Sequence, residues 1–353
     1  MSEWSNVNLA SLLSFGNGKS RPLDSGNIPV YGGNGIMSHV SQSNYDQETI
    51  IIGRVGAYCG ATYYENKPIW ISDNALSAKA IGKNNTKYLY YLLKNLDLNQ
   101  FAEGSSHPLL TQKLLKSVEI KAALNPNEQK SIASVLSSLD DKIDLLHRQN
   151  KTLESMAETL FRQWFDNEQQ DNLKEGKLSD ILSLKYGKAL KQENRSGEGF
   201  PVVASGGIVG FHNEYLVNSP GIVIGRKGTL GKVFYMYEKF YPIDTSYYIE
   251  SKVKNSKLYY EYFLLKSLGF ENMNSDSAVP GLNRNSAMSS SITVPPFEGI
   301  INFNKFCEYF FNKIKINLTQ IHTLENLRDT LLPKLMSGEV RVQYAEEAIA
   351  SVS

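Results

Sequence analysis

Residues 14–21, SFGNGKSR, contain the Gly-Lys-Ser ending of a phosphate-binding loop. Such a loop follows the pattern Gly-x-x-x-x-Gly-Lys-Ser/Thr, in which backbone N–H groups surround the phosphates of a nucleotide and the lysine reaches the outer ones. The first glycine of the pattern would stand at position 13, which is Leu13. Because that glycine is missing, the stretch does not predict a nucleotide hydrolase.

A second stretch, PIDTSYYIESK, has the spacing of a metal-dependent nuclease, since Asp244 is followed by Glu250 and Lys252. Paired carboxylates of this kind hold Mg²⁺ in phosphoryl-transfer sites. A similar stretch earlier in the chain retains Asp73 but has Ala78 and Lys79 where an acidic pair would be needed. We therefore interpret Asp244 as a structural turn residue and predict neither a metal site nor catalysis.

The composition limits the class of protein. A chain of 353 residues can form two or more domains. The polar start does not resemble a secretory signal, and no apolar run approaches the ~18 residues of a membrane span. Cys59 and Cys307 are too few for a disulfide framework or a zinc site. We expect a cytoplasmic protein, and with a net charge of +1 a nucleic-acid binder would have to concentrate its basic residues on one face.

The chain is a tandem duplication, because three stretches recur at a separation of about 172 residues. They are IPVYGGNGI (28–36) and FPVVASGGI (200–208), IIIGRVGAYCG (50–60) and IVIGRKGTLG (222–231), and YLYYLLKNL (88–96) and YEYFLLKSL (260–268). The repeat also explains the Gly-Lys-Ser stretch. Gly187 and Lys188 match Gly18 and Lys19, but Ala189 replaces the serine that a magnesium site needs. The repeat keeps a glycine turn and loses the nucleotide chemistry.

Each copy changes from a β-rich to a helical pattern. The first ~120 residues alternate short apolar runs with Gly, Asn and Pro, which predicts short strands and turns with a single helix at 88–96. A long helix then follows in the first copy. Asn125 is a suitable N-cap, Pro126 suits the first helical position, and Glu128 would complete a capping box.

Apolar residues spaced alternately by three and four predict a heptad seam on a long helix in each copy. Pro333 is expected to kink or end the second helix, and Gly338 to terminate it. Neither seam is fully apolar, so each helix needs a specific partner, most simply the other. The seam residues are Leu136, Leu139, Ile143, Leu146, Asn150, Leu153, Ala157, Leu160 and Trp164, and then Cys307, Phe310, Ile314, Asn317, Ile321, Leu324, Arg328, Leu331 and Leu335.

A helix from Pro126 to Trp164 would be about 58 Å long. If the two helices pack antiparallel, the β-rich domains lie at opposite ends of a rigid spacer with approximate two-fold symmetry. DNA has matching symmetry, and a two-headed reader would measure the distance between two half-sites. The first helix carries more acidic than basic residues, so we do not expect it to bind DNA.

The chain resembles the specificity subunits of type I restriction-modification systems. The segments that carry the resemblance are NPNEQKSIASVLSSLDDKIDLLHRQNKTLESMAETLFRQWF, TLENLRDTLLPKLMSGEVRV, IIIGRVG and IVIGRKG. The resemblance implies an α+β fold with two homologous β-rich target-recognition domains, separated by two long helices packed as an antiparallel coiled coil with pseudo-two-fold symmetry. The expected divisions are 1–125 and 170–297 for these domains, 126–169 and 298–342 for the spacer helices, and 343–353 for a tail.

The resemblance also implies a function without catalysis. Each domain would read one half of a split target in double-stranded DNA, and the helices would dock two methylation subunits and, in some systems, motor-nuclease subunits. This chain would bind no cofactor. S-adenosylmethionine, and ATP with Mg²⁺ where a motor subunit joins, would be bound by the partners. The residues expected to serve helix pairing and docking are Leu139, Ile143, Leu146, Asn150, Leu153, Leu160, Trp164, Ile314, Ile321, Leu324, Leu331 and Leu335.

Arg54 and Arg226 stand in the same Gly-Arg-x-Gly frame in the two copies. A glycine-flanked arginine on a turn can approach DNA and either fork onto guanine O6 and N7 or hold a phosphate. We favour the phosphate, and the alternative is a structural turn shared by both copies. Lys19 and Lys188, each beside a glycine, are further candidates for phosphate contacts.

Two polar segments, 103–117 and 275–290, are interpreted as loops that lead into a strand. Their differences suit the reading of two half-sites, although drifting surface loops differ in the same way. Histidine and asparagine in glycine-rich stretches are weaker candidates, since asparagine there often serves the backbone. The candidate DNA-binding residues are Lys19, Arg21, His39, Arg54, Ser105, Ser106, His107, Thr111 and Gln112, and Lys188, His212, Asn213, Arg226, Lys227, Asn283, Arg284 and Asn285.

Two other functions stay open at the level of sequence. One is a nucleotide hydrolase or nuclease acting alone, which the broken loop and the unrepeated acidic pair oppose. The other is an interaction scaffold that binds proteins or glycans through its duplicated β-rich domains. Salt separates the scaffold from a DNA reader, because phosphate contacts weaken steeply with ionic strength.

Overall fold

The computed structural model describes residues 4–104, 108–165, 174–218, 220–272 and 281–350. The chain divides into two compact units, of which the first comprises residues 1–146 and 319–353 and the second residues 147–318. No helix within these described ranges is long and apolar enough to cross a membrane.

The first unit is built on a four-stranded antiparallel sheet with the order β2-β8-β5-β6 and a three-stranded sheet with the order β4-β3-β7. A two-stranded pair, β1-β9, completes it. The elements are β1 (Trp4–Asn8), α1 (Leu9–Leu12), β2 (Leu13–Asn17), β3 (Ile28–Gly32), β4 (Gly35–Val40), β5 (Thr49–Gly53), β6 (Thr62–Glu65), β7 (Trp70–Ile71), β8 (Ala75–Ala80), α2 (Thr86–Asn95), α3 (Gln112–Ser117), β9 (Glu119–Ala123) and the beginning of α4 (Pro126–Phe165).

The second unit repeats this arrangement, with the orders β11-β17-β14-β15, β13-β12-β16 and β10-β18. Matching strand order confirms the internal repeat. The elements are β10 (Lys174–Lys177), α5 (Leu178–Ile181), β11 (Leu182–Tyr186), β12 (Phe200–Ala204), β13 (Gly207–His212), β14 (Gly221–Gly225), β15 (Val233–Met236), β16 (Tyr241–Pro242), β17 (Ser246–Ser251), α6 (Tyr259–Ser267), α7 (Arg284–Met288), β18 (Ser291–Val294) and most of α8 (Phe297–Ser337). A last helix, α9 (Val342–Ala350), belongs to the first unit.

The central strands explain the apolar runs in the sequence. Every residue of β5 and of β14 is buried, because each strand lies inside its sheet and is covered on both faces. A continuous apolar run, rather than an alternating one, is typical of such a strand. The repeated Ile-rich stretches are therefore core strands, and the arginine directly after each strand is held at a fixed edge of the sheet.

The segments 112–117 and 284–288 are helical, so the interpretation of these regions as loops running directly into a strand was wrong there. Thr111 Oγ1 accepts a hydrogen bond from the Leu114 N–H at 3.2 Å. Asn283 Oδ1 accepts from the Asn285 and Ser286 N–H groups at 2.9 and 3.1 Å. These N-caps start α3 and α7, which are too short to show a helical period in the sequence.

The long helix α4 begins at Pro126, and the Asn125 side chain accepts from the Asn127 N–H at 2.9 Å. The predicted capping box does not form among the described residues. Glu128 Oε1 instead accepts from Trp4 Nε1 at 3.1 Å, and Oε2 is buried with no hydrogen-bond partner in the part of the chain that the structure describes. A tertiary contact from the start of the chain has replaced the local one.

Helix α8 continues past Pro333 to Ser337, so Pro333 does not end it. Gly338 follows with φ of 75°, a left-handed conformation that glycine adopts readily, and it terminates the helix as predicted. The helix ends before residue 342, the predicted end of the spacer, and α9 lies in the segment that was expected to be a tail.

The heptad seams are buried or half-buried in both units. In the first unit, Asp140 of α4 faces Arg328 of α8, with Arg328 Nη1 and Asp140 Oδ1 at 3.0 Å. In the second unit, Asn317 Nδ2 donates to Asn150 Oδ1 at 2.7 Å, and the Trp164 and Phe303 rings are 5.7 Å apart. Residues further along α4 contact residues earlier in α8, so the two helices pack antiparallel. Asn150 is one of the residues that pair them.

Each unit has its own apolar core, to which the helices contribute. In the first unit, Leu136 and Leu139 of α4 and Leu335 of α8 pack with the sheet and α2. In the second, Phe161 and Phe303 pack within an aromatic cluster in which the Tyr259 and Phe311 rings stack at 4.1 Å. The helical pairing and the domain cores are therefore continuous within each unit.

Tyr91 connects α2 to the helical pair of the first unit. Its hydroxyl donates to Asp140 Oδ2 at 2.7 Å, and its ring is 1% exposed. We expect Tyr91→Phe to lower the free energy of unfolding by about 1.5 kcal/mol, because a hydrogen bond to a carboxylate is lost. The neighbouring Tyr90 makes no hydroxyl hydrogen bond to any described residue, so Tyr90→Phe is a matched control with little expected effect. If chemical denaturation shows that Tyr91→Phe and Tyr90→Phe lower the free energy of unfolding equally, the hydrogen bond to Asp140 does not have this role.

Buried tyrosines predict sensitivity to alkali. Burial raises the pKa of Tyr88 to about 12, and burial together with the nearby Asp140 charge raises the pKa of Tyr90 to about 12. Because the folded pKa exceeds the ordinary value of 10.0, this stabilisation is complete below pH 10 and is lost as the pH rises through 12. Chemical denaturation at stepped pH, with phenolate absorbance as the readout of ionisation, should show the free energy of unfolding falling above pH 10. A flat profile across that window would contradict the prediction.

Candidate nucleic-acid interface

In each unit, three strand ends of the four-stranded sheet meet at one edge. In the first unit, β2 and β5 end where β8 begins, because both run antiparallel to β8. The Arg54 N–H donates to the Asn74 carbonyl at 3.0 Å, and the Gly18 N–H donates to the Ala75 carbonyl at 3.1 Å. We call this region, comprising residues 18–19, 54–56, 73–74 and 109–112, the first edge.

The second edge comprises residues 186–188, 226–228, 244–245 and 281–284. Here β11 and β14 end where β17 begins, and the Arg226 N–H donates to the Thr245 carbonyl at 2.9 Å. The later loop joins each edge in the same way, since the Leu110 N–H donates to the Arg54 carbonyl and the Leu282 N–H to the Arg226 carbonyl, both at 2.9 Å. Sequence-distant candidates are thus brought together in both units.

The Gly-Arg-x-Gly frame is a tight turn in which glycine is required for space. A Cβ on Gly53 would lie 2.2 Å from the Tyr58 carbonyl oxygen, and one on Gly225 would lie 2.0 Å from that of Thr229. Gly56 and Gly228 have φ of 76° and 79°. The frame is structural in both copies, and it also presents its arginine at the edge, so the two interpretations are compatible.

Arg226 is held in place by aromatic rings. Its Nη1 donates to the Asp244 carbonyl at 3.0 Å, and its guanidinium carbon lies 4.9 Å from the Tyr186 ring centre and 5.7 Å from that of Tyr247. Burial raises the pKa of Tyr247, and the charge of Tyr186 acts in the same direction. Tyr186 is 51% exposed, which makes it an aromatic surface beside a fixed cation. Sequence reasoning missed Tyr186, although an aromatic residue directly before the repeated Gly-Lys was a usable signal.

In the part of the first edge that the structure describes, no aromatic ring lies over the Arg54 guanidinium. Asn17 stands at the position of Tyr186, and the buried Nε of Arg54 has no hydrogen-bond partner among the described residues. Two arginines in one frame therefore have different surroundings. The edges share a backbone and differ in side-chain chemistry.

Basic side chains at and near the edges are exposed. Lys19, Lys188 and Lys227 use their backbone in the sheet, with the Lys188 N–H donating to the Pro242 carbonyl at 3.0 Å, while their side chains face solvent. Arg21 is exposed shortly after the first edge, and Asn285 is exposed in the first turn of α7. Such side chains suit phosphate contacts, which need charge more than fixed geometry.

Thr111 and Asn283 have their side-chain oxygens engaged as the N-caps of α3 and α7. Gln112 and Arg284 follow them and reach strands β2 and β11 respectively. Ser105, Ser106 and His107 lie outside the described residues.

His39, His212 and Asn213 lie away from the edges. His39 pairs with Pro29, and His212 with Phe200, at the ends of their hairpins opposite the turns. Four residues of extended strand separate His39 from Gly35 and five separate His212 from Gly207, so the histidines lie about 13 and 17 Å from their turns. The His212 ring packs against Tyr241, with ring centres 5.8 Å apart. The structure therefore does not group these residues with the arginine candidates.

The two stretches that resembled enzyme motifs have structural roles. A Cβ on Gly18 would lie 1.8 Å from the Ser72 carbonyl oxygen, so this glycine allows two backbone segments to cross. Glu250 pairs with Lys185 at 3.1 Å and lies four residues, about 13 Å, along β17 from Ser246, too far to share an ion with Asp244. Within the described residues, no group of three or more His, Cys, Asp or Glu side chains could hold a metal ion.

Comparison with known proteins assigns the chain to a family. The family model for the type I restriction modification DNA specificity domain matches residues 1–155 and again residues 170–326. The chain belongs to this family. It is the specificity subunit of a type I restriction-modification system, and catalysis belongs to other subunits.

Individual relatives agree with this assignment. The specificity subunit of the type I restriction enzyme MjaIX from Methanocaldococcus jannaschii is 30% identical over 302 residues, covering 73% of this chain and 70% of that protein. The specificity subunit of the Escherichia coli type I restriction enzyme EcoprrI is 29% identical over 112 residues, covering 32% of this chain and 28% of that one. The crystal structure of a type I specificity subunit from M. genitalium shares the fold, with a TM-score of 0.64, 24% identity and coverage of 95% of this chain and 96% of that one.

Proposed function

We propose that the first and second edges each bind one half of a split sequence in double-stranded DNA. The observation that carries this proposal is the duplicated edge itself: one backbone frame presents Arg54 in one unit and Arg226 in the other, with different side chains around each. A shared frame suits docking on the same kind of backbone. Different neighbours suit the reading of different bases.

Methylation subunits are the proposed partners of the long helices, two per chain, and motor-nuclease subunits join them in a restriction-competent complex. Support comes from large apolar side chains that lie exposed on α4 and α8 and that a partner subunit would cover. They include Leu145 and Met156 on α4, exposed by 53% and 48%, and Phe306, Tyr309 and Ile316 on α8, exposed by 53%, 73% and 59%.

The cofactors of the reaction are assigned to those partners. S-adenosylmethionine would supply the methyl group on the methylation subunits, and ATP with Mg²⁺ would serve a motor subunit. This chain would recognise the target sequence in DNA. Because that DNA is genomic, we place the complex in the cytoplasm.

The decisive experiment maps N6-methyladenine across a genome in cells that express the methylation subunits with and without this chain. The expected result is methylation of one split motif, with two short halves and an unspecified gap, only when the chain is present. Replacing residues 1–125 with the corresponding domain of a relative should then change one half and leave the other. An unchanged methylation pattern, or a swap that changes both halves, would contradict the proposal.

A further inference from the structure

Gln112 and Arg284 occupy equivalent positions in the two units, each directly after the N-cap of a short helix. Arg284 Nε donates to the Leu184 carbonyl of β11 at 2.8 Å. The Gln112 amide, oriented to suit both its neighbours, donates to the Phe15 carbonyl of β2 at 2.9 Å. Phe15 and Leu184 are themselves equivalent in the repeated Leu-Ser-Phe and Leu-Ser-Leu stretches. The two side chains therefore make the same anchoring contact with the strand that leads to each edge.

Beyond the anchor, the two side chains differ. The Gln112 oxygen accepts from the Asn17 N–H at 3.2 Å, so both ends of its amide are occupied by its own unit. Arg284 uses only Nε, and Nη1 and Nη2 make no hydrogen bond to any residue in the described ranges. The guanidinium carbon lies 5.8 Å from the centre of the half-exposed Tyr186 ring. The second edge thus holds a planar pair of unused donors on an anchored side chain.

The geometry of these donors favours a base over a phosphate. A guanidinium offers two parallel N–H groups that match O6 and N7 of guanine in the major groove. Anchoring through Nε fixes the direction of that fork before DNA arrives and so reduces the ordering cost of binding. Exposed lysines at the same edge already offer the mobile charge that suits phosphate.

The repeat gives a second reason. Arg54 and Arg226 are identical in type, so they cannot by themselves make the two edges prefer different bases. Position 112 and its counterpart 284 keep one anchoring contact while changing the distal chemistry from an occupied amide to a free fork. The two side chains therefore share one anchor and differ only in the groups that face the DNA, which allows the two edges to prefer different bases.

We propose that Arg284 determines specificity in the half-site bound by the second edge by donating Nη1 and Nη2 to O6 and N7 of a guanine. Gln112 makes no equivalent contact in the other half-site. This inference rests on the proposed function and adds the base and the residue that reads it.

The test uses the whole complex with its methylation subunits. Arg284→Gln keeps an amide that can bond the Leu184 carbonyl, since Gln112 shows that glutamine fits this frame, and it removes the fork. We expect one guanine position of one half of the methylated motif to become degenerate, while the other half stays unchanged.

A chemical probe identifies the acceptor. Duplexes carrying 7-deazaguanine at that position lack N7, so the affinity of the wild-type complex should fall by about tenfold. The affinity of the Arg284→Gln complex should be unaffected by the same substitution. Lys254→Gln, which removes an exposed charge outside the edge, is the matched control and should retain the wild-type motif and the sensitivity to 7-deazaguanine.

The possible results distinguish the role of Arg284 from the proposed function. A split methylated motif that is identical for wild-type and Arg284→Gln complexes with equal melting temperatures would overturn the role of Arg284 and leave the proposed function intact. That role would also be overturned if neither half contains guanine. Absence of a split motif with the wild-type chain would instead overturn the proposed function itself.

Discussion

Replacing Gly187 with alanine is expected to lower the free energy of unfolding of the second unit by about 3 kcal/mol and to remove DNA binding by its edge. An alanine Cβ would lie 2.2 Å from the Ile243 carbonyl oxygen and 2.5 Å from that of Pro242. Both atoms belong to backbone that is fixed by the sheet, because the Lys188 N–H bonds the Pro242 carbonyl and the Gly187 N–H bonds that of Ser246. Relief of the overlap must therefore separate β11 from the turn before β17, which carries Asp244.

The matched control is another glycine-to-alanine change in the same unit. A Cβ on Gly299, near the start of α8, meets no atom within 4 Å, and alanine there should raise the free energy of unfolding by about 0.5 kcal/mol. Chemical denaturation of both variants, followed by DNA-binding measurements on the assembled complex, checks the pair. Gly18→Ala should produce the same loss at the first edge. A Gly187→Ala protein as stable as Gly299→Ala would show that the crossing of the two segments does not need glycine.

Arg226→Ala is expected to weaken binding of the complex to its DNA target by about tenfold, the loss of one charge-assisted contact to DNA. The guanidinium is already oriented by Tyr186, Tyr247 and the Asp244 carbonyl, so little conformational freedom is lost when it meets a phosphate. If the contact is to phosphate, the slope of log affinity against log salt should fall in magnitude by about one, and the methylated motif should stay the same.

Arg195→Ala is the control for removal of an arginine from the same unit. Arg195 Nη1 donates to the Val209 carbonyl at 2.7 Å within β13, outside the second edge, so this variant should keep the salt slope of the wild type. Fluorescence anisotropy over a range of salt concentrations compares the two variants. An unchanged slope for Arg226→Ala, together with a changed motif, would mean that Arg226 reads a base and that phosphate is held elsewhere.

Several features of the protein followed from local sequence. The start of α4 at Asn125 and Pro126 and the end of α8 at Gly338 depend on groups within a few residues of each helix end, so capping rules predicted them. The helical seam depends on apolar residues spaced alternately by three and four, and this spacing is visible in the sequence without knowledge of the fold. Both features are short-range, and short-range preferences can be read in a single chain.

Where a distant group competed, local rules failed. Glu128 has the spacing of a capping box, but Trp4 from the first strand donates to it instead. The segments beginning at Gln112 and Arg284 looked like loops because helices of six and five residues show no period, although their caps were visible in the sequence. The sequence indicates which hydrogen bonds a residue can make, and the tertiary structure determines which partner it contacts.

The sequence by itself determined the duplication, the order of β-rich and helical regions, the helical seams and, through resemblance, the family. Only the tertiary structure decided which candidates share a surface. Tyr186, Arg226 and Arg284 come from three separate segments, and they meet because β17 pairs with both β11 and β14 and turns their ends to one edge. Strand order arises from long-range backbone hydrogen bonds and core packing, for which no local period exists in the chain.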